Sequence, residues 1–541
     1  MHRHVALFLA ALGWASLAVG DEVDVRLRLL SSEALEVAYT LPPGCASLAF
    51  LKDGDAGRAT RAGWQALDGG VAGADRLERP AGAAGQPVLR FRVPADTRHI
   101  GYAAAFPMGQ GLYVHLSNYA LADTCGPVRY RLAAPGIAVA GRAVRDAAEA
   151  ANGDTAALLQ NAPLPPGQGV PVYVDPRLSA AVAARIHAVA DGTVAWLHRA
   201  LPDAAYTRPI VAAGWAEQPG GPNIDGDAAD VLRVTLFNWP RDPGPTEDAA
   251  LTRLVSHEFS HRFQLRDATD AYPDERLLHE GGGEFLRWMA SVANGWMTPD
   301  QAAADLDQAL SDCMLYTEGR SWRSLSPREI AGNWLAYRCG LPAYVYVLAA
   351  RQGKGTAMQR IGGFYRELAA GRRPDPALAY ECGDTPGCRP RLMAPLLSAD
   401  GTMEAQWAAL LRETGLARPM PPSQAQKNAM VLRAMVKLMK DDCGGHSGTT
   451  ETPDGIIFDG MKACHTFTRD AYVTAVEGRP LFGDPATGAA MTAACTARHA
   501  LVLGLKDGGS LSVPCAEPYR MRADFYRADI GKVLAALRRS E

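Results

Sequence analysis

Two histidines flank a glutamate in the segment His257-Glu258-Phe259-Ser260-His261, an H-E-x-x-H pattern. The apolar residues around it recur at helical spacing, so the pattern predicts a helix. Residues four apart lie on nearly the same face of a helix, and both imidazoles can therefore bind one divalent ion. Glu258 lies about 100° around the helix from His257, which separates a candidate base from the candidate ligands.

A catalytic zinc ion needs a third protein ligand and keeps its fourth position for water. Glu280 is the preferred third ligand, because the eighteen residues between His261 and Glu280 suffice to end one helix and begin an antiparallel second helix. Asp267 is the rival, since it occupies the third-ligand position of H-E-x-x-H-x-x-G-x-x-H/D enzymes. That arrangement needs a sharp turn at glycine, where this chain has Gln264. We expect zinc on His257, His261 and Glu280.

Three glycines, Gly281–Gly283, follow Glu280 directly. Each costs about 1 kcal/mol in a helix relative to alanine, so two interpretations stay open. Either the chain forms a loop here, or the missing side chains let this helix approach the metal-bearing helix or leave room for a substrate backbone. Glu284 is a candidate acceptor beside the ligands or a substitute ligand, and His279 is expected to be structural.

The elements that position these residues fall into three regions, which predict a multi-domain α+β protein. Short alternating runs from 21 to 145 predict a β-rich domain. After a Pro/Gly stretch, helical windows predict a mainly helical catalytic domain from 150 to 420, with a few strands ahead of His257. A second break precedes a mixed C-terminal domain over 425–541.

The first twenty residues are typical of a secretory signal peptide. Arg3 precedes an apolar run from Val5 to about Ala18, which ends in small residues. A run of about 14 residues is shorter than the roughly 20 needed to span a membrane, and no later stretch reaches that length. We therefore expect an exported protein, periplasmic or secreted, without stable membrane insertion.

All ten cysteines follow this segment, and in an oxidising compartment they favour disulfides. The preferred local pair is Cys382 with Cys388, because the residues between them are turn formers. The alternative near the end of the chain is a zinc cluster of Cys443, His446, Cys464 and His465.

Charge and motifs exclude several classes of function. The chain has 55 Lys and Arg against 58 Asp and Glu, a net charge of -3, and therefore offers no basic field for nucleic acid. The sequence contains no Gly-rich phosphate loop, no G-x-S-x-G elbow and no Cys/His nucleophile pattern. Nucleotide-dependent enzymes and serine hydrolases are thus disfavoured.

The segment HEFSH, eighteen further residues and a Glu followed by Gly together resemble the gluzincin metallopeptidases, particularly the aminopeptidase N family and the glycyl aminopeptidases that carry a PDZ domain. The resemblance implies a β-rich domain before a thermolysin-like catalytic domain. Tyr337-Arg338-Cys339-Gly340, 57 residues past Glu280, resembles the family's Tyr-x-Lys-Gly segment, whose tyrosine helps to hold the oxyanion. A tyrosine packed in a helical core is the alternative. The segments DAYVTAVEGRPL and ALVLGLKDGGSLSVPC resemble the second half of a PDZ domain.

The sequence departs from that family in two places. No G-x-M-E-N segment, whose Glu binds the substrate's free amino group, precedes His257. The edge strand of that region is expected at VLRVTLF, residues 231–237, and Cys339 replaces the usual Lys. Aminopeptidase and endopeptidase modes therefore both stay open.

The resemblance and the residues together predict a zinc metallopeptidase that acts on a peptide or protein. Bound zinc lowers the pKa of its water molecule from its ordinary high value towards about 7. Glu258 is the expected general base, and Tyr337 an expected oxyanion donor. One alternative is a peptidase-like binding protein of the cell envelope, although a purely structural site needs no base. The other is a zinc-dependent amidase acting on a substrate that is not a peptide.

Overall fold

The computed structural model describes residues 22–539 apart from gaps, the longest at 79–87, 98–103, 165–170, 265–272, 351–354 and 370–402. The chain divides into two compact units, one of residues 1–191 and 207–262 and the other of residues 192–206 and 263–541. The expected signal peptide, the rival ligand Asp267 and the expected pair Cys382 and Cys388 lie outside the described residues. No helix among the described residues is both long and apolar enough to cross a bilayer.

The first unit is rich in strands, as the alternating apolar runs predict. In its first strand Val23, Val25 and Leu27 are buried, whereas Arg26 and Arg28 are exposed, which is the two-residue period of a half-buried strand. The elements of this unit, in chain order, are β1 (Val23–Ser31), β2 (Ala34–Thr40), β3 (Ser47–Ala49), α1 (Asp55–Arg61), β4 (Gln65–Ala66), β5 (Val71–Ala72), β6 (Arg76–Glu78), β7 (Val88–Pro94), β8 (Phe106–Met108), β9 (Gly111–His115), β10 (Val128–Val139), β11 (Arg142–Ala150), β12 (Ala156–Gln160), β13 (Val172–Val174), α2 (Ala180–Ala200), β14 (Ile210–Ala216), β15 (Asn223–Asp227), β16 (Val231–Phe237) and α3 (Pro245–His261). The division between the units falls within α2.

The strands of this unit form two large sheets. One has the order β4-β7-β2-β1-β10-β12-β9-β8, with β11 also paired to β10, and the other has the order β13-β14-β16-β15. In the second sheet β13, β14 and β16 are parallel, and β15 pairs antiparallel to β16. A smaller sheet has the order β3-β6-β5.

The expectation of an edge strand at residues 231–237 is wrong. This segment is β16, whose seven residues are all buried, and it has a neighbour on each side. Its near-continuous apolar run is typical of a strand covered on both faces. The edge position belongs instead to the polar strand β15, with the sequence NIDGD.

The second unit is mainly helical, with a β-containing C-terminal region. Its elements, in chain order, are α4 (Pro273–Ala293), α5 (Pro299–Thr317), α6 (Pro327–Gly332), α7 (Leu335–Ala350), α8 (Ala357–Ala369), α9 (Met403–Thr414), β17 (Ala417–Met420), α10 (Gln424–Asp442), β18 (Thr449–Thr452), β19 (Gly455–Phe458), β20 (Ala471–Val476), β21 (Arg479–Pro480), α11 (Thr487–Arg498), β22 (Ala500–Leu505), β23 (Ser510–Pro514), β24 (Phe525–Ala528) and α12 (Ile530–Arg538). Trp288, Trp322 and Trp407 are buried in the core of the helices.

The C-terminal strands form a sheet of order β18-β19-β20-β22-β23, with β21 paired to β20, while β17 pairs with β24. The protein therefore has a β-rich N-terminal part, a helical middle and a C-terminal part with both strands and helices. The predicted fold class, a multi-domain α+β protein, is confirmed. The PDZ likeness and the three predicted domain boundaries stay predictions.

Four disulfides join cysteines in the part of the chain that the structure describes: Cys45–Cys125, Cys313–Cys339, Cys443–Cys464 and Cys495–Cys515. The prediction that the cysteines form disulfides is confirmed for these eight. The alternative zinc cluster at the end of the chain is wrong, because the sulfurs of Cys443 and Cys464 are bonded to each other and cannot serve as thiolate ligands.

Candidate metal centre

The helix that carries the H-E-x-x-H pattern begins with several stabilising residues. Pro245 occupies its first turn, where a missing N–H costs nothing. The Glu247 side chain accepts a hydrogen bond from the Gly244 N–H at 3.0 Å. Glu247 and Asp248 also place negative charge at the positive end of the helix dipole. The predicted helix is therefore confirmed as α3, Pro245–His261.

One face of α3 carries small hydroxyl residues that bond to their own helix. Thr252, Ser256 and Ser260 each donate a hydrogen bond to the carbonyl four residues earlier, at 2.6, 2.6 and 2.7 Å. Each hydroxyl proton is thus satisfied within α3, and the Thr252 oxygen also accepts from Arg185 of α2 at 2.8 and 3.1 Å, so this face of α3 can be buried.

The two histidines of α3 direct the same ring nitrogen at each other. Nε2 of His257 and Nε2 of His261 lie 2.9 Å apart, with the ring planes at 89°. Two nitrogens bound at about 2.0–2.1 Å to one tetrahedral zinc ion would lie about 3.3 Å apart. Both imidazoles and Glu258 between them are buried, with 4%, 7% and 8% of His257, His261 and Glu258 exposed. The spacing and orientation suit a shared ion.

The predicted third ligand, Glu280, lies in the middle of α4 and is half-buried. Gly281 and Gly282 continue the same helix, so the interpretation of this segment as a loop is wrong. A Cβ on Gly281 would lie 2.6 Å from Cα of Gly340 in α7, and a Cβ on Gly282 would clash with the Gln264 side chain. The missing side chains therefore permit a close crossing of α4 and α7.

Two side chains bond to backbone carbonyls of α4 immediately before Glu280. The Tyr344 hydroxyl donates to the Leu278 carbonyl at 2.6 Å, and the Gln264 amide donates to the His279 carbonyl at 3.2 Å. These contacts and the glycine crossing fix the turn of α4 that presents Glu280. His279 contributes a backbone acceptor here, and the structural role expected of its side chain stays a prediction.

Glu284 takes part in a buried ion pair. Arg287 donates from Nε to Glu284 at 3.0 Å and from Nη1 to Asp305 at 2.7 Å. Burial alone would lower the pKa of Arg287, but Asp305 and Glu284 raise it above its ordinary value. The guanidinium thus stays charged and compensates Glu284, one turn after Glu280.

Tyr337 lies in the first turn of α7 and is half-buried against the helical core. Its ring centroid is 5.4 Å from that of Trp334, which is 62% exposed. Gly340, at the α4–α7 crossing, follows Tyr337 by one turn. Within the second unit, Glu280 of α4 and Tyr337 of α7 therefore both lie near the point where these two helices cross. The position of the family's Lys is filled by Cys339, which is disulfide-bonded to Cys313 of α5.

A polar network on β15 and β16 was not predicted. Arg233, 1% exposed, donates to Asp225 at 2.7 Å, to Asp227 at 2.8 Å and to Thr235 at 2.7 Å. The Tyr113 hydroxyl donates to Asp227 at 3.2 Å. The sequence signal was a lone arginine inside the apolar run VLRVTLF, shortly after two aspartates.

Strand β15 also contacts α3, because a Cβ on Gly226 would meet the Leu254 side chain at 3.1 Å. Leu254 precedes His257 by one helical turn. The polar edge strand therefore runs beside the part of α3 that leads into the H-E-x-x-H segment.

His257 and His261 lie in the first unit, whereas Glu280 lies in the second. Two imidazoles and one carboxylate form a donor set that suits zinc with a fourth position left for water.

No family model and no curated protein matches the sequence. Among solved structures, the fold is similar to that of an aminopeptidase N family protein from Idiomarina loihiensis, with a TM-score of 0.57 and 12% identity over 96% of this chain and 100% of that chain. An M1 zinc metallopeptidase from Deinococcus radiodurans is 16% identical over 74% of this chain and 94% of that chain, with a TM-score of 0.35.

Aminopeptidase A from Legionella pneumophila, in complex with aspartic acid, is 13% identical over 64% of this chain and 45% of that chain, with a TM-score of 0.36. At these identities the likeness concerns the fold, and the chain has a fold similar to that of the aminopeptidase N family. The resemblance predicted from the sequence is confirmed at that level.

Proposed function

We propose that this protein is a zinc metallopeptidase that hydrolyses peptide bonds. The observation that carries the proposal is the pair of buried imidazoles in α3, whose Nε2 atoms lie 2.9 Å apart with Glu258 between them in the helix. The fold it shares with an aminopeptidase N family protein supports the same class. The side chains of His257, His261 and Glu280 would hold zinc, which when bound supplies a Lewis acid for the scissile carbonyl and acidifies a water molecule.

Glu258 is the proposed general base. It lies in α3 between the two histidines, is 8% exposed, and is turned about 100° from His257 around the helix axis. A carboxylate in that position can accept a proton from the attacking water and return it to the leaving amine. General acid–base catalysis of this kind typically contributes about 10²–10⁴-fold to the rate.

Tyr337 is the proposed donor to the oxyanion that forms at the scissile carbonyl. Its place beside the α4–α7 crossing and its partial exposure support that role. A hydroxyl already held in position stabilises charge that develops only in the transition state. The core-tyrosine alternative stays open, because Tyr337 also packs against buried helical side chains.

The proposed substrate is an extended peptide, and β15 is the proposed strand that pairs with it. This strand is the edge of its sheet, so one row of backbone N–H and C=O groups faces away from β16. Asp225 and Asp227 lie on this strand and are both paired with Arg233, so neither is an uncompensated carboxylate ready for a free amino group. We propose that cleavage does not require an unblocked amino terminus.

Mass-spectrometric mapping of cut sites in a peptide pool with open and acetylated amino ends tests the mode of cleavage. We expect cuts in both kinds of peptide. Cuts confined to open ends would show an aminopeptidase instead. Bound zinc without any cleavage of casein or of the pool would favour the peptidase-like binding protein, and cleavage of small amides alone would favour the amidase.

Glu258→Gln tests the proposed chemistry. This variant should bind as much zinc as the wild type, because Glu258 is not among the ligands. It should lose about 10²–10⁴-fold in kcat, because the amide cannot accept the proton. Zinc content by plasma mass spectrometry and turnover of a peptide substrate measure the two effects. Undiminished turnover would show that Glu258 is not the base.

We also propose that the protein is exported. Its disulfides in both units support an oxidising compartment. Fractionation of cells that express the full chain, with mass spectrometry of the mature amino terminus, should locate it outside the cytoplasm with about the first twenty residues removed. An intact amino terminus in the cytoplasm would contradict export.

A further inference from the structure

The second unit contains a cavity of about 180 Å³ that has no part in the proposed reaction. We name it the junction cavity, because it lies where α5, α9 and α10 meet the segment that precedes β24. Its charged and aromatic lining consists of Glu318, Glu404, Lys437, Tyr519, Arg520 and Arg522. The volume is below the roughly 300 Å³ at which pockets for drug-sized ligands begin, so a smaller ligand fits it.

Positive charge exceeds negative charge in this lining. Lys437, Arg520 and Arg522 are cations, whereas Glu318 and Glu404 are anions. Two of the cations share one carboxylate, since Arg522 lies 3.2 Å and Arg520 lies 3.5 Å from Oε2 of Glu404. A ligand with a single negative charge would balance the lining.

Two buried arginines each keep one donor, the Nε, without an acceptor among the residues that the structure describes: Arg522, which lines the junction cavity, and Arg433, which is paired with Glu318 of the lining. The Arg522 side chain is 9% exposed, and its Nε has no hydrogen-bond partner among the described residues. Arg433, beside Glu318, is 10% exposed, and its Nε likewise finds no acceptor in the described part of the chain. Buried guanidinium donors are normally satisfied, so their state indicates an acceptor group that belongs in or beside the cavity.

The neighbouring groups hold these arginines in place. The guanidinium carbon of Arg433 lies 4.4 Å from the centroid of the Tyr316 ring, and that of Arg522 lies 5.6 Å from the centroid of the Phe525 ring. Burial raises the pKa of Tyr519 to about 12, so its hydroxyl keeps its proton and can donate. The cavity therefore presents a fixed set of donors in surroundings that are partly shielded from water.

We propose that the junction cavity binds a small molecule through a carboxylate group. A guanidinium donates two parallel hydrogen bonds to a carboxylate, and Arg522 and Arg520 present guanidinium groups in a lining that also contains Met314 and Pro518. The proposal does not rest on the peptidase assignment, because it uses none of the residues of the metal centre.

Isothermal titration of the full-length zinc-loaded protein with N-acetyl-L-leucine, L-leucine and L-leucinamide tests this. The first two carry a carboxylate and the third does not. We expect N-acetyl-L-leucine and L-leucine to bind with Kd near or below about 1 mM, and L-leucinamide to bind at least tenfold more weakly. Triglycine with a free or an amidated carboxyl end shows whether the carboxylate can also come from a peptide.

Two variants assign the binding to this cavity. Arg520→Gln should weaken binding of N-acetyl-L-leucine about tenfold, and because the Arg520 side chain is 79% exposed the substitution leaves the packing of the core unchanged. Arg522→Gln should weaken it further. Arg418→Gln, an exposed arginine on β17, is the matched control and should bind like the wild type.

His257→Ala separates this cavity from the metal centre. Binding that persists in His257→Ala and falls in Arg520→Gln supports the proposal, whether or not the protein proves to be a peptidase. The proposal is overturned if binding disappears in His257→Ala but is unchanged in Arg520→Gln. Equal affinity for L-leucinamide, or no binding of either carboxylate at about 1 mM, would also overturn it.

Discussion

Two regions of this molecule bring possible metal ligands together, and they differ in how those side chains are used. In one region, Nε2 of His257 and Nε2 of His261 lie 2.9 Å apart. In the other, Asp442, Cys443 and Cys464 have ligand atoms within 4.8 Å of one another. All five side chains are buried, so closeness and burial do not distinguish the two regions.

The difference lies in what else each side chain does. Cys443 and Cys464 are bonded to each other, and Asp442 accepts from the backbone N–H groups of Thr466 and Phe467 at 2.9 and 3.0 Å. That carboxylate thus holds the loop at the end of α10. In the first region the two Nε2 atoms face each other instead. The comparison shows that a metal site is recognised by where its lone pairs are directed.

The largest effect expected from this comparison follows loss of one imidazole. His261→Ala should abolish stoichiometric zinc binding and reduce peptide turnover at least about 10⁴-fold, because both the ion and the water it activates are lost. His446→Ala is the matched control, since His446 was part of the rejected cluster and is exposed. Zinc content and kcat/KM should be unchanged in that control. A zinc-free His446→Ala protein would reverse the assignment.

Tyr337→Phe should reduce peptide turnover at the proposed metal centre by less than His261→Ala does. Removal of one oxyanion donor typically costs about 10²–10³-fold in kcat. We expect a loss of about 10²-fold with KM and zinc content unchanged, since the ring still packs in α7. Steady-state kinetics at saturating substrate give this value. A kcat equal to that of the wild type, with a lower melting temperature, would identify Tyr337 as a packing residue.

The second region should respond through stability alone. Replacing Cys443 and Cys464 by Ser opens a link that spans 21 residues, which by chain entropy costs about 3 kcal/mol of unfolding free energy. Zinc content and kcat/KM of the folded variant should not change. Denaturant unfolding measures the first effect. If the variant lost its zinc, the two regions would not be as different as we infer.

The smallest effect is expected at the helix crossing that supports Glu280. Gly281→Ala places a Cβ 2.6 Å from Cα of Gly340 and should destabilise the protein by about 1–3 kcal/mol, as overpacking does. Gly332→Ala in α6 is the control, because a Cβ there meets nothing within 4 Å. That control should be neutral or slightly stabilising. Equal melting temperatures for the two variants would contradict the crossing.

The parts of this structure that sequence could predict are local ones. The helix over His257 and His261 follows from apolar spacing and a proline near its start, and the alternation in Val23–Ser31 predicts a strand. The short interval between His261 and Glu280 also limits how the chain can continue. These signals lie within one element or between neighbouring elements, where periodicity and spacing decide the outcome.

The rest depends on partners that are distant in sequence. The strand with the sequence VLRVTLF looked like an edge strand, but β15 covers it, and pairing order is not encoded in one strand. Gly281 packs against Gly340, where composition alone allowed a loop. Cys443 pairs with Cys464, where composition alone allowed a zinc cluster. The network of Arg233 with Asp225 and Asp227 became visible only when two strands were paired.

X-ray absorption spectroscopy at the zinc edge of the purified full-length protein tests the central claim most directly. We predict one zinc ion per chain with a first shell of nitrogen and oxygen at about 2.0–2.2 Å, including the multiple-scattering signal of two imidazoles. Glu280→Gln should weaken binding of that ion. A first shell that contains sulfur at about 2.3 Å would contradict the account, because it would place the metal on cysteines.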